Sequence, residues 1–144
     1  MKAMLGLVGV LAFAAAVWSE EVAAKLAGEW HMVTGEAAGQ PPPEEVKNSF
    51  RFKFAKDGNF SIKMAGPDGQ DREIKGTYKL KPDTKPLEID MTEVSGENKR
   101  ESFGILELNG DQLKICLARQ GNVRPTEFSG AKSGYLYLEL KRVK

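Results

Sequence analysis

Residues Asp111 to Gly130 read DQLKICLARQGNVRPTEFSG. Leu113, Ile115 and Leu117 alternate with Lys114, Cys116 and Ala118, the period-two signature of a strand with one face buried. The polar run that follows carries Arg124-Pro125-Thr126-Glu127-Phe128, which returns the chain toward a last strand. There Leu136, Leu138 and Leu140 alternate with Tyr135, Tyr137 and Glu139. A strand, a long loop and a closing strand make this the most distinctive local pattern in the chain.

The same alternation recurs upstream. Phe50, Phe52 and Phe54 alternate with Arg51 and Lys53, and Phe60, Ile62 and Met64 alternate with Ser61 and Lys63. Between them, Lys56-Asp57-Gly58-Asn59 carries the Asp-Gly signal of a tight hairpin turn. Ile74, Gly76, Tyr78 and Leu80 make the next strand, and Leu87, Ile89 and Met91 the one after. Phe103 to Leu108 follows the expected turn at Ser95 to Lys99. Trp30 and Met32 share one face of a first strand, while Pro41-Pro42-Pro43 excludes regular structure and Glu44 to Asn48 fits one helical turn. In all, about eight strands joined mostly by tight turns predict an all-β fold. Sequential hairpins favour an antiparallel up-and-down barrel, whose closure removes the two vulnerable sheet edges. Its core is expected to hold Trp30, Phe50, Phe52, Phe54, Phe60, Ile62, Ile74, Tyr78, Leu87, Ile89, Ile115, Leu117, Leu136 and Leu138.

Composition narrows the function classes. The chain has 144 residues, enough for one domain, and a formal net charge of +1. Lys and Arg are interspersed with Asp and Glu, so no basic face for nucleic acid is expected. The single cysteine, Cys116, excludes an intramolecular disulfide and a Cys-rich zinc site. At the start, Met1 and Lys2 precede the apolar run Leu5 to Val17, and small residues precede Glu20 and Glu21. This is the layout of a signal peptide over residues 1–19, followed by one barrel domain over residues 20–144. The run is short for a membrane span. The expected setting is therefore secreted or periplasmic, with no stable span after cleavage. Cleavage removes Lys2 and brings the formal charge from +1 to 0.

Gly28-Glu29-Trp30 on the first strand resembles the G-x-W signature of lipocalins and related calycins. LAGEWHMV, Gly76-Thr77-Tyr78, the Lys85 to Asp90 strand and LKICLA followed by RPTEF together resemble a lipocalin-like domain family. That family is known chiefly from planctomycete bacteria and mostly lacks an assigned function. The resemblance runs from Leu26 to Arg142. It implies a lipocalin-like barrel, an envelope or secreted setting and ligand binding, and no catalytic residues. It further implies that Trp30 plugs one end of the barrel against Arg142, with Gly28 completing the signature. Stacking of a guanidinium on an indole face gives that pairing a physical basis.

No residue pattern points to catalysis. His31 is the only histidine and alternates away from Trp30, and Cys116 reads as a buried strand thiol. No phosphate loop, nucleophile elbow or zinc-protease motif is present. No metal or cofactor is expected. Candidate ligand-binding residues are Tyr78, Arg124, Glu127 and Tyr137, with Tyr135 beside them. For the Arg124 to Phe128 run two readings stand side by side. One is a gating loop at the barrel mouth, with Arg124 meeting an anionic head group. The other is a latch that pairs Arg124 with Glu127 or the rim and anchors Phe128. The function expected is binding of a small, mostly apolar molecule. The alternative is a filled barrel that acts through its surface as an interaction or inhibitor module in the cell envelope.

Overall fold

A computed structural model describes residues 21–81 and 83–144. The expected signal peptide, residues 1–19, lies outside the described residues. Residues 21–26 are helical, and this described segment is called α1. Eight strands follow, β1 (Gly28–Ala37), β2 (Arg51–Phe54), β3 (Asn59–Ala65), β4 (Asp71–Lys81), β5 (Leu87–Ser95), β6 (Asn98–Asn109), β7 (Gln112–Ala118) and β8 (Tyr135–Arg142). Helix α2 (Glu44–Ser49) lies between β1 and β2.

Each strand pairs antiparallel with the next, and β1 pairs with β8 to close the barrel. The all-β, eight-stranded, up-and-down architecture expected from the alternation is thus the observed fold. The turns follow their local chemistry. At the β2–β3 hairpin the Asn59 amide donates to Asp57 Oδ1 at 3.1 Å, while Gly58 takes a φ of +95°, a conformation that suits glycine.

The two ends of the barrel differ. At the closed end, α1 caps the lumen. Trp30 Nε1 donates to Leu26 O at 3.0 Å, and both residues are fully buried. Phe52 and Phe54 stack with ring centroids 4.4 Å apart, and Tyr78 meets Phe54 edge-on at 5.2 Å. These rings fill the closed half together with Leu106, Leu113 and Leu140. At the open end lie the β1–β2 segment, the β3–β4 and β5–β6 turns and the β7–β8 loop. Strand β2 stops short there, and α2 stands between β1 and β3 in its place. Ser49 Oγ ties it down, accepting the Ala65 amide at 2.8 Å and donating to Glu45 O.

Two strands reach further toward the open end than their apolar patterns predict. Strand β6 begins at Asn98 rather than Phe103, and β4 at Asp71 rather than Ile74. Their added residues are polar and carry no hydrophobic period. The ladder continues through them because the neighbouring strands supply backbone partners, Glu93↔Arg100 and Met64↔Arg72.

Candidate functional site

Above the stacked phenylalanines the lumen opens into a cavity of about 820 Å³. That lies within the roughly 300–1,000 Å³ typical of small-molecule sites. Its floor and walls are apolar, with Phe50, Phe52, Phe60, Met91, Leu117 and Leu138 among the lining residues. Ile62, Ile74 and Leu136 also line it, which explains why these expected core residues are only partly buried. Their exposed surface faces the cavity. The rim is polar and carries Arg72, Arg100 and Arg119 with Glu93, Glu101, Ser102 and Gln120.

The structure brings Gly28, Trp30 and Arg142 together at the closed end. The Arg142 guanidinium lies 4.4 Å over the Trp30 ring. It donates to Ala27 O at 2.9 Å, Lys25 O at 2.6 Å and Asp111 Oδ1 at 3.2 Å. Gly28 adopts a φ of +132°, and a Cβ there would stand 2.8 Å from Arg142 Nη1. Glycine is thus needed both for backbone freedom and to let the guanidinium cross. The hydrogen bond from Lys144, and then that from Arg142, hold the Asp111 carboxyl below its ordinary range.

The candidates drawn from the sequence occupy other places. Tyr78 sits in the filled half, where its hydroxyl donates to Ala55 O and burial pushes its ionisation up. It also borders a shallow groove of about 130 Å³ with Asp90 and Phe103. Arg124, Glu127 and Tyr137 are not among the cavity-lining residues. They belong to the β7–β8 loop and the outer barrel face it covers. Arg124 Nη1 donates to Ile89 O at 3.1 Å and Gly104 O at 2.9 Å. Its Nη2 donates to the Asp90 carboxylate, and its guanidinium lies 5.3 Å over Phe103.

The pleat explains the rest of this outer layer. Ile105, Cys116 and Tyr137 are paired across β6, β7 and β8, as are Phe103, Ala118 and Tyr135. Ile115 and Leu117 point into the lumen, so these rows point outward. Yet Ile105, Cys116 and Ala118 are buried, because the loop packs on them. The Cys116 thiol donates to Ser129 O at 3.3 Å. Phe128 meets Tyr137 edge-on at 6.3 Å. The Tyr135 hydroxyl donates to Val123 O at 2.9 Å, and the Gly130 amide to Glu36 Oε1 at 3.0 Å. Burial pushes the Cys116 thiol up, with the nearby Glu127 charge adding to it. Burial and the hydrogen bond to Glu139 raise Tyr137. Both groups are therefore held in their protonated forms. His31 is half-buried on the outer face, level with Arg51 and Lys141. Among the described residues no group of three or more His, Cys, Asp or Glu is placed to hold a metal ion.

A lipocalin-like domain family model matches residues 26–115, well over half of the chain. The chain belongs to the lipocalin-like domain family. The match runs from the capping residue Leu26 into β7 and ends before the long loop, so RPTEF lies beyond it. A search of curated proteins finds no match. Among solved structures, the lipocalin-like barrel is similar to a lipocalin-like protein from Bacteroides uniformis. That likeness has 20% identity and a TM-score of 0.53, and covers 83% of this chain and 99% of the other. An uncharacterized protein from Bacteroides eggerthii is similar at 19% identity and a TM-score of 0.49, covering 81% of this chain and 98% of the other. At such identities the first comparison bears on fold alone. The first neighbour is a Bacteroides protein, whereas the resemblance read from the sequence motifs named a family known chiefly from planctomycetes.

Proposed function

We propose that this lipocalin-like barrel binds a small, mostly apolar molecule in the upper half of its lumen. The observation that carries the reading is the cavity of about 820 Å³, floored by Phe50, Phe52 and Phe60 and open at one end. Apolar lining offers a favourable transfer of about 25 cal/mol per Å² of ligand surface removed from water. Lipocalin-like barrels often bind small hydrophobic ligands and are typically binding proteins rather than enzymes. The signal-peptide layout of residues 1–19 supports a secreted or periplasmic site of action. A packed lumen with an exposed apolar patch would favour the alternative, a filled barrel acting through its surface. Among the described residues the large hydrophobics left exposed are Val33, Val94 and Val123, on three different segments.

Fluorescence titration with the neutral apolar probe N-phenyl-1-naphthylamine tests the proposal. The chain should give saturable enhancement at one site. Leu136→Trp, which places an indole at the cavity wall, should weaken binding at least tenfold. Absence of saturable binding, or equal binding by the variant, refutes a lumenal site.

A further inference from the structure

The chain has six arginines after the signal-peptide segment, and they divide into two groups. Arg51 donates to Phe50 O at 2.7 Å, and Arg124 and Arg142 are held by the contacts described above. Arg72, Arg100 and Arg119 make no side-chain hydrogen bond or ion pair among the described residues. All three border the same cavity, and they reach it from three different elements. Arg72 is on the inward row of β4, two residues before Ile74. Arg100 is on the inward row of β6, level with Glu93 of β5. Arg119 follows β7 at the base of the long loop. Its backbone is pinned there, with its amide donating to Gly134 O at 2.8 Å and its carbonyl accepting the Asn122 amide at 3.0 Å.

An inward-facing charge would be costly deeper in the barrel, where water is excluded. At the rim the guanidinia stay hydrated until a ligand arrives. Glu93 and Glu101 border the same rim, so three cations face two carboxylates and the mouth is left with a positive excess. Arginine is suited to this position. Its planar fork bonds an oxyanion through two parallel N–H donors, whereas lysine offers only a point charge.

We propose that the mouth recognises the anionic head group of a single-chain amphiphile. Arg72, Arg100 and Arg119 hold the head, and the tail lies along the phenylalanine floor. The inference rests on the lumenal reading above and adds the class of ligand. A carboxylate and a phosphate monoester share the chemistry, since each presents oxyanions to guanidinia at the end of an alkyl chain.

Displacement of N-phenyl-1-naphthylamine from the full chain separates the two claims. Dodecanoate, dodecyl phosphate and dodecanol share one tail and differ in the head. Dodecanoate or dodecyl phosphate should bind at least tenfold more tightly than dodecanol, and whichever binds better names the head group. The R72Q/R100Q/R119Q variant should lose that preference, with both anions falling to within about threefold of dodecanol measured on the same variant. Should the variant fail to fold, salt decides, because exposed charges are screened within about 3 Å at 1 M ionic strength. A preference unchanged between 0.05 M and 1 M salt overturns the arginine assignment. Equal displacement by the anions and dodecanol overturns the head-group inference and leaves the lumenal site standing. No binding of the neutral probe removes both.

Discussion

Arg124→Ala should open the β7–β8 loop without emptying the barrel. The side chain is only 21% exposed and reaches two backbone carbonyls and Asp90. It also sits 3.5 Å from Glu88. Removing it leaves those carbonyls without this donor, but Asp90 keeps Lys81 at 3.7 Å, so no carboxylate is stranded. Hydrogen bonds to charged groups contribute about 1.5–3 kcal/mol each in partly buried settings. Releasing the arginine returns about 2 kcal/mol of side-chain entropy. With the three bonds taken at the low end of that range, because water reaches the opened loop, the net loss of loop stability is about 2.5 kcal/mol, equivalent to a roughly 70-fold rise in the open population.

Cys116 is a built-in reporter for this opening, since it is the only thiol and lies buried beneath Ser129. Labelling by a thiol reagent at neutral pH should be slow in the parent, where burial holds the thiol protonated and covered. In Arg124→Ala the rate should rise by that roughly 70-fold factor, and Arg124→Lys should fall between the two. Affinity for the neutral lumenal probe should stay within twofold of the parent, because Arg124 is not part of the cavity wall. Unchanged Cys116 labelling in Arg124→Ala would refute the latch. A tenfold loss of probe binding would show that the loop shapes the lumen.

Two further expectations concern the closed end. Gly28→Ala should cost about 1–3 kcal/mol in denaturant unfolding, since the added Cβ meets Arg142 and the backbone is in a region alanine resists. A variant as stable as the parent would show that Arg142 moves aside freely. Asp111 has a lowered carboxyl, so its contribution is present above the unfolded value of about 3.9 and lost as pH falls through the lower folded value. Asp111→Asn should therefore remove that part of the acid-side loss of stability, measured as unfolding midpoint between pH 6 and pH 2. Parallel pH curves for the two proteins would count against the Arg142–Asp111–Lys144 tie.

Much of the closed end is legible in the residues themselves. Gly28 and Trp30 stand at the start of the first strand, and Arg142 ends the last one, so a closing β1–β8 pair brings them near each other. The loop reading was legible in part. Pro125 and Phe128 indicate anchoring, and the latch alternative describes where Arg124 lies. The strand to which it latches was not legible, because Asp90 and Gly104 are distant in sequence and become neighbours only through the β5–β6 register. The rim arginines are not legible for a related reason. Arg72 and Arg100 lie in polar residues between the expected turns and the apolar strand patterns, and a charged residue's inward or outward sense is set by the register of the strand that carries it.

The sequence by itself determined the strand count and the alternation that puts one face of each strand inside, and its resemblance to lipocalins pointed to the residues that plug one end. The first two follow from local rules: period-two hydrophobicity, glycine-bearing turns and the absence of long helical periods. Only the tertiary structure decided how much of the lumen stays open and which charges stand at its mouth. The same run of Phe50, Phe52 and Phe54 suits a filled barrel or an open one. The volume left over depends on strand stagger and on the stacking of Phe52 against Phe54, which packs the rings toward one end. Those are relations among residues far apart in the chain, and they exist only once the barrel has closed.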